Sequence, residues 1–248
     1  MNQRLTLVVP CYNEAGRLDI AAFERALHAR PALDLLFVDD GSRDGTGQML
    51  AALVARSAGR AGVLTLAANS GKGEAVRQGV LAALDRAPDW VGYWDADLAT
   101  PLDALADFAV VSGRPGVEVI IGSRVKLLGR NITRQAHRHY AGRVFATAAS
   151  LALGIPVYDT QCGAKLFRAG ARTRELFQAP FASRWVFDVE LLDRLLAQAG
   201  GDRRRVAEER IYELALRSWH HQPGSKLRPR DILRAALDLW RVYRRRVR

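Results

Sequence analysis

Leu33-Asp34-Leu35-Leu36-Phe37-Val38-Asp39-Asp40-Gly41-Ser42-Arg43-Asp44-Gly45-Thr46 passes from an apolar run into an acidic, glycine-punctuated loop and then to the start of an amphipathic segment. A short apolar run closed by turn residues and followed by apolar residues at helical spacing reads as one strand–loop–helix unit. The same pattern recurs on both sides. Leu5 to Val9, Leu33 to Val38, Gly62 to Leu66, Trp90 to Trp94 and Val117 to Ile121 read as strands; Arg17 to Ala29, Thr46 to Arg56, Gly73 to Asp85 and Pro101 to Val111 read as helices, with Thr100 before Pro101 as a helix start. This alternation predicts an α/β fold with a mostly parallel sheet flanked by helices, in which ligands bind at the loops beyond the carboxyl ends of the strands.

The second half is less regular. A basic loop from Arg124 to Arg143 leads into a helix ending near Leu153, followed by Asp159-Thr160-Gln161-Cys162-Gly163 and a short strand through Phe167. A helix from about Val186 to Ala199 and an extended stretch from Val206 to Leu216 complete the expected core, and a helical segment follows Pro223-Gly224 and Pro229. The expected organisation is one domain over 1–228 and a basic amphipathic helix over 229–248.

With 248 residues, 49% of them hydrophobic, the chain is long enough to bury one core. Its most apolar stretch, Val144 to Ile155, is too short to span a bilayer, and Leu5 to Val9 is interrupted by Pro10 and Tyr12-Asn13-Glu14, so it reads as a strand and not a signal peptide. Cys11 and Cys162 form neither a disulfide framework nor a metal-binding spacing, which fits a reducing cytoplasm. A net charge of +11 calls for an anionic partner: a polyanion, a membrane surface or an acidic substrate. Only Lys72, Lys126, Lys165 and Lys226 are lysine, so arginine, the planar bidentate phosphate ligand, dominates.

The polar residues gather on the predicted crevice loops. The first strand ends in Pro10-Cys11-Tyr12-Asn13-Glu14 and the second in Asp39-Asp40, where a tyrosine can stack on a base and a carboxylate can accept base N–H groups. Ser42 and Asp44 read equally well as turn-forming and helix-capping residues. Asn69-Ser70-Gly71-Lys72-Gly73 opens a helix, aiming free backbone N–H groups and one ammonium at a diphosphate, although its spacing is not that of a Walker loop. Asp95-Ala96-Asp97 closes the fourth strand with hard carboxylate oxygens suited to Mg²⁺ or Mn²⁺.

Taken together, these clusters resemble those of the family-two inverting glycosyltransferases of the GT-A fold, and Asp159 to Phe167, Arg184 to Glu190 and Gly224-Ser225-Lys226-Leu227 are similar to the dolichyl-phosphate β-glucosyltransferase branch. The resemblance implies transfer of a hexose, glucose from UDP-glucose, to a polyprenyl or dolichyl phosphate. It also implies that Pro10, Tyr12, Glu14 and Asp40 hold the nucleoside, Asp95 the ribose or diphosphate side and Asp97 the metal, with Lys72 near the diphosphate. Related mannose synthases often place a glutamine where this chain has Ala99, so metal coordination here leans on water or another side chain. GDP-mannose, another UDP-sugar, and a sugar hydroxyl as acceptor remain alternatives.

Arg124, Arg134 and Arg138, with Lys226, are the candidates for binding the acceptor phosphate; Arg134 and Arg138 are spaced to share one helix face. A phosphate monoester, with a second pKa of about 6, needs no strong base. If one acts, Asp159 and Asp188 are the candidates, each also readable as a structural carboxylate paired with arginine. His137, His139, His220 and His221 form no convincing metal site. The segment Asp231 to Arg248 sets Ile232, Ala236, Leu239, Trp240, Tyr243 and Val247 among arginines; such a helix can lie on an anionic membrane surface, peripheral on the inner face, or pack on the protein's own core. A basic nucleic-acid-binding module is the non-enzyme alternative, and its crevice acids carry the wrong sign for a polyanion.

Overall fold

The computed structural model describes residues 3–133, 136–183, 186–221 and 229–246, with side chains described for 3–133, 142–183, 186–221 and 235–244. The first half is built as β1 (Leu5–Cys11), α1 (Ile20–Ala29), β2 (Leu33–Asp39), α2 (Thr46–Arg56), β3 (Ala61–Thr65), α3 (Lys72–Leu84) and β4 (Trp90–Trp94). A 3₁₀ turn (Leu102–Ala104), α4 (Leu105–Ser112) and β5 (Val119–Ser123) follow. The rest comprises β6 (Asn131–Thr133), α5 (Ala136–Leu153), β7 (Ala164–Arg168), α6 (Ala171–Gln178), α7 (Phe187–Ala199), α8 (Arg203–Arg210), β8 (Ile211–Ala215), β9 (Ser218–His220) and α9 (Pro229–Arg246).

Seven strands form one sheet in the order β3-β2-β1-β4-β7-β5-β8, and β6 pairs with β9 beside it. All pairings in the large sheet are parallel except those of β7, which runs antiparallel to both β4 and β5. Both faces are covered, so β1 and β2 are mostly apolar on both sides, Leu7 to Val9 and Leu35 to Val38 running without alternation. Val8, Leu36 and Val38 face the helices α3, α5, α6, α7 and α9, while Leu7, Val9, Leu35 and Phe37 face α1, α2 and α4.

The chain builds outward from β1 to β3 and then returns to add β4 on the other side of β1. That reversal opens a crevice at the carboxyl ends of β1 and β4. The register shows the opening: pairing of β1 with β4 ends at Val8↔Tyr93, whereas pairing of β1 with β2 continues to Cys11↔Asp39. Pro10, which has no N–H to donate, falls beyond the end of the β1–β4 ladder, where proline is tolerated.

Two expectations are corrected. Val206 to Leu216 is not one extended stretch: Arg203–Arg210 is helical and only Ile211–Ala215 is a strand. Asp202 caps that helix by accepting the Arg204 N–H at 2.9 Å, and Arg204–Glu208 and Arg205–Glu209 pair one turn apart. The first helix begins at Ile20 and not Arg17, because Asp19 accepts the Ala22 N–H at 2.9 Å while Arg17 and Leu18 turn back onto the Glu14 carbonyl.

The final helix packs on α5 and α7, with Leu239 and Val242 inside the core, while Leu237 and Trp240 are about half exposed on its other side. Among the described residues, no helix is long and apolar enough to cross a membrane.

Close packing of α3 on the sheet depends on Gly79, where an added Cβ would lie 2.4 Å from Val8 Cγ1 and 2.6 Å from Val38 Cγ2. A helical Gly→Ala change gains up to about 1 kcal/mol in propensity, whereas overpacking against stiff β-branched side chains costs about 1–3 kcal/mol. Gly79→Ala is therefore expected to lower the denaturation midpoint, and a midpoint equal to or above that of the parent chain would refute this account of the packing.

Candidate active site

The crevice loops are tied to one another by backbone donors. Asp40 follows β2, and its carboxylate accepts the N–H groups of Ser70 at 2.7 Å and Gly71 at 2.8 Å. Gly71, at φ +93°, takes a conformation open to glycine and starts α3. Asp40 thereby fixes where the amino end of α3, and with it Lys72, enters the crevice. Asn13, at φ +52°, donates its N–H to Ser42 Oγ at 3.0 Å and accepts the Arg43 N–H at 2.9 Å. Asp44 accepts the N–H groups of Ala15 at 3.2 Å and Thr46 at 2.9 Å, and Thr46 Oγ1 accepts the Glu14 N–H at 2.8 Å. Ser42 and Asp44 thus join the β1 and β2 loops.

Glu14 is buried and pairs through both oxygens with Arg17, whose Nη2 lies 2.6 Å from Oε1. The hydrogen bond to Glu14 raises the Arg17 pKa against the opposing effect of burial, and the charges of Asp97 and Asp95 add to the rise. Tyr12 and Pro10 lie half-buried at the crevice end of β1.

Asp95 and Asp97 extend from the end of β4. Lys72 Nζ lies 2.5 Å from Asp95 Oδ1, and the Asp95 N–H donates to the Gly163 carbonyl at 3.0 Å. A Cβ at Gly163 would fall 1.9 Å from Asp95 Oδ2, so the Asp95 carboxylate fills the space a larger residue would need. Leu98 adopts φ +49°, a conformation costing about 1–2 kcal/mol for a non-glycine residue. The surroundings enforce it: the Leu98 N–H bonds the Asp95 carbonyl at 3.1 Å, Asp97 Oδ1 accepts the Ala99 N–H at 3.1 Å, and the Ala99 carbonyl accepts the His220 N–H at 2.9 Å. Asp97 has no ion pair with a described residue. Burial, then the neighbouring charge of Asp95, raises its pKa.

Beneath the crevice, Lys165 is fully buried, donating to Asp188 Oδ1 at 2.6 Å and to the Cys162 carbonyl at 2.5 Å. The Tyr93 hydroxyl donates to the same Asp188 oxygen. Beside β5, Arg124 grips Asp159 through Nε and Nη2, both at 2.7 Å, and through its own N–H at 3.0 Å. Glu213 accepts the N–H groups of Tyr158 at 2.9 Å and Asp159 at 2.6 Å, and its pKa is raised by burial. Both candidate bases therefore hold a cation: Asp159 pairs with arginine, whereas Asp188 pairs with lysine and a tyrosine.

The structure brings Lys72, Asp95 and Asp97 together, with Glu14–Arg17 close enough to feel both aspartates. Arg134, Lys226 and the Arg138 side chain, three of the candidate phosphate ligands, lie outside the described residues, as do the side chains of His137 and His139. Sequence reasoning missed Arg17, Glu213, the spacing role of Gly163 and the burial of Lys165. A lysine within the apolar run Ala164–Phe167 was the available signal, since a buried ammonium requires partners.

A mostly parallel sheet with its reversal at β1/β4, and an Asp-x-Asp turn at that point, make up the architecture of the GT-A glycosyltransferases. The model of the family "Glycosyl transferase family 2" matches residues 6–173, and the chain belongs to that family. It is 33% identical over 255 residues to a dolichyl-phosphate beta-glucosyltransferase of Drosophila melanogaster, covering 96% of this chain and 74% of the relative. It is 31% identical over 260 residues to one of Saccharomyces cerevisiae, covering 95% and 72%. Among solved structures, glucosyl-3-phosphoglycerate synthase from Mycobacterium tuberculosis, in complex with Mn²⁺, UDP-glucose and phosphoglyceric acid, superposes with a TM-score of 0.66 at 20% identity, covering 97% of this chain and 78% of that one. The mannosyltransferase PcManGT from Pyrobaculum calidifontis, in complex with GDP-Man and Mn²⁺, gives 0.58 at 19% identity, covering 90% and 58%.

Gly163→Ala tests the packing around Asp95. Displacing that carboxylate is expected to lower glycosyl transfer at least about tenfold, as misplacement of a reacting group by an ångström does. A variant that folds and retains full turnover would show that the position of Asp95 is not critical.

Proposed function

We propose that this glycosyltransferase moves glucose from UDP-glucose to a polyprenyl or dolichyl phosphate with inversion, using Mg²⁺ or Mn²⁺. The observation that carries the site reading is the contrast between Asp95, already paired with Lys72, and Asp97, which lacks a cation among the described residues. The acceptor reading draws on the dolichyl-phosphate beta-glucosyltransferases, which are similar over nearly the whole chain.

The donor set fits a hard divalent ion. No cluster of three His, Cys, Asp or Glu residues occurs among the described residues, so Asp97, supported by Asp95, would hold the ion together with water and the donor's own phosphate oxygens. When bound, the ion neutralises charge building on the departing diphosphate. Lys72, steered by Asp95 and by the Asp40-fixed loop, faces that diphosphate as well. Tyr12, Pro10 and Glu14 border the nucleoside side. Asp40 serves the nucleoside through the loop it holds as well as by direct contact.

On the acceptor side Asp159 orients Arg124, and Arg134, Arg138 and Lys226 complete the phosphate site. A phosphate oxygen attacks the anomeric carbon from the face opposite the diphosphate, the new C–O bond forms there, and the old one breaks with its electron pair going to UDP. The dianionic acceptor has already lost its proton, so Asp159 and Asp188 position cations and need not act as bases. Catalysis then comes from alignment and charge stabilisation. We place the enzyme peripherally on the cytoplasmic, inner face of the membrane, with the outward side of α9 toward anionic lipid.

A panel of UDP-sugars and GDP-mannose, assayed with a short polyprenyl phosphate with and without Mg²⁺ or Mn²⁺, tests the reaction. UDP-glucose is the expected donor, with a strict metal requirement. Asp97→Asn is expected to reduce transfer by about 100-fold or more, in line with the loss of one strong electrostatic stabiliser. Undiminished metal-dependent turnover in that variant would remove Asp97 from the metal site.

The contact of α9 with lipid needs a variant that spares its core side. Deleting the helix would strip Leu239 and Val242 from the core, whereas Leu237→Ser/Trp240→Ser alters only the exposed side. The double variant is expected to bind anionic vesicles several-fold more weakly at unchanged thermal stability. Unaltered binding would mean that α9 only packs.

A further inference from the structure

From the exposed turn after β5 we infer a second membrane contact: Leu127 and Leu128 form an apolar tip that inserts into the lipid surface at the mouth of the crevice. The inference rests on the reading of the acceptor as a lipid phosphate. Leu128 is completely exposed and Leu127 is 47% exposed, in a protein whose other leucines mostly lie in the core.

The backbone holds them there. The Arg130 N–H donates to the Leu127 carbonyl at 3.2 Å, and Gly129, at φ +76°, occupies the third position of this four-residue turn, where a positive φ is required. That makes a type II turn with Leu128 at its corner. Both ends of the loop are anchored: Arg124 is clamped by Asp159 through three hydrogen bonds, and Asn131 opens β6, which pairs with β9, its N–H donating to the Arg217 carbonyl at 2.8 Å.

The loop also leaves from the functional end of the sheet. Strand β5 is antiparallel to β7, which is antiparallel to β4, so β5 and β4 run the same way and the tip projects from the edge that carries Asp95 and Asp97.

The occupant follows from size and charge. Two leucines on a turn offer far less area than the roughly 1,200–2,000 Å² that a specific protein interface buries. A bilayer needs no such area. Lys126 and Arg130 flank the tip in sequence and Arg124 stands at its base, cations suited to anionic headgroups around inserted apolar side chains. With the tip in lipid, a polyprenyl phosphate would present its headgroup at the crevice without leaving the membrane.

The test uses the full chain with vesicles of phosphatidylcholine, with and without phosphatidylglycerol. Leu127→Ser/Leu128→Ser is expected to weaken binding to the anionic vesicles about tenfold, the scale of losing burial of an exposed leucine. Transfer to a short, water-soluble polyprenyl phosphate should be unchanged while transfer to a vesicle-embedded long-chain one falls. In Leu128→Cys, an environment-sensitive dye should shift to the blue on anionic vesicles; Cys11 and Cys162 are buried, with thiols whose pKa burial raises, which directs labelling to the new thiol.

Equal vesicle affinity of the serine variant and the parent, or a dye that stays in water, overturns the tip. So does a parent chain that binds no vesicles, or one whose self-association, and not vesicle binding, is lost in the serine variant. If no polyprenyl phosphate is turned over but vesicle binding still depends on both leucines, the tip stands and the acceptor reading fails.

Discussion

The Asp95 carboxylate is held between the ammonium of Lys72 and the bare α-carbon of Gly163, and most of the crevice depends on that arrangement. Each support arrives on a different element and has its own requirement. Lys72 reaches the site because Asp40, beyond β2, captures two N–H groups of the loop leading into α3. Gly163 reaches it because β7 runs antiparallel between β4 and β5, against the direction of the other strands, and so brings its leading residues to the carboxyl end of β4. Asp95 thus registers α3, β4 and β7 against each other, Asp40 ties β2 to them through α3, and the Asp-x-Asp turn sits at their junction.

A buried ion pair underlies the same region. Removing an ammonium from water costs several kcal/mol unless partners restore its interactions, and Lys165 recovers them from Asp188 and the Cys162 carbonyl. Asp188 lies in the first turn of α7, where the exposed N–H groups of the helix favour an anion, and it accepts the Tyr93 hydroxyl as well. Asp188 thus joins α7 to β4 and β7 beneath the crevice.

The donor half of the fold was legible because its strands are buried on both faces and its helices are regularly amphipathic, so apolar runs and helical spacing mark them with little ambiguity. The later elements were harder to read for local reasons. The charged sequence of α8 shows almost no apolar periodicity, so its cap at Asp202 and its one-turn ion pairs went unread beside the more apolar strand that follows. In the crevice, residues recognisable by their type were visible: Asp95, Asp97, Lys72 and the acidic β2 loop. Residues that pair across the fold were not, since the match of Asp159 with Glu213, 54 positions apart, exists only once strands and loops have been placed side by side, and the local pair of Glu14 with Arg17 was hidden by reading Arg17 as the start of α1. Gly163 is the extreme case, because nothing in its neighbours along the chain indicates that a carboxylate 68 positions earlier occupies the volume of its missing side chain.

A strongly basic chain with an acidic crevice looks contradictory until the acids are taken one at a time. Glu14 is matched by Arg17, Asp95 by Lys72, Asp159 by Arg124 and Asp188 by Lys165, so these four carboxylates present little net charge to an approaching ligand. Asp97 differs from these four: it is partly buried, adjacent to another anion, and has no ion pair among the described residues. An environment of that kind favours a small cation, and the ammonium of Lys72 stands beside it on Asp95. The positive surface and the acidic crevice are therefore not in conflict: Glu14, Asp95, Asp159 and Asp188 are balanced by cations close at hand, and Asp97 is left as a carboxylate suited to a small hard cation.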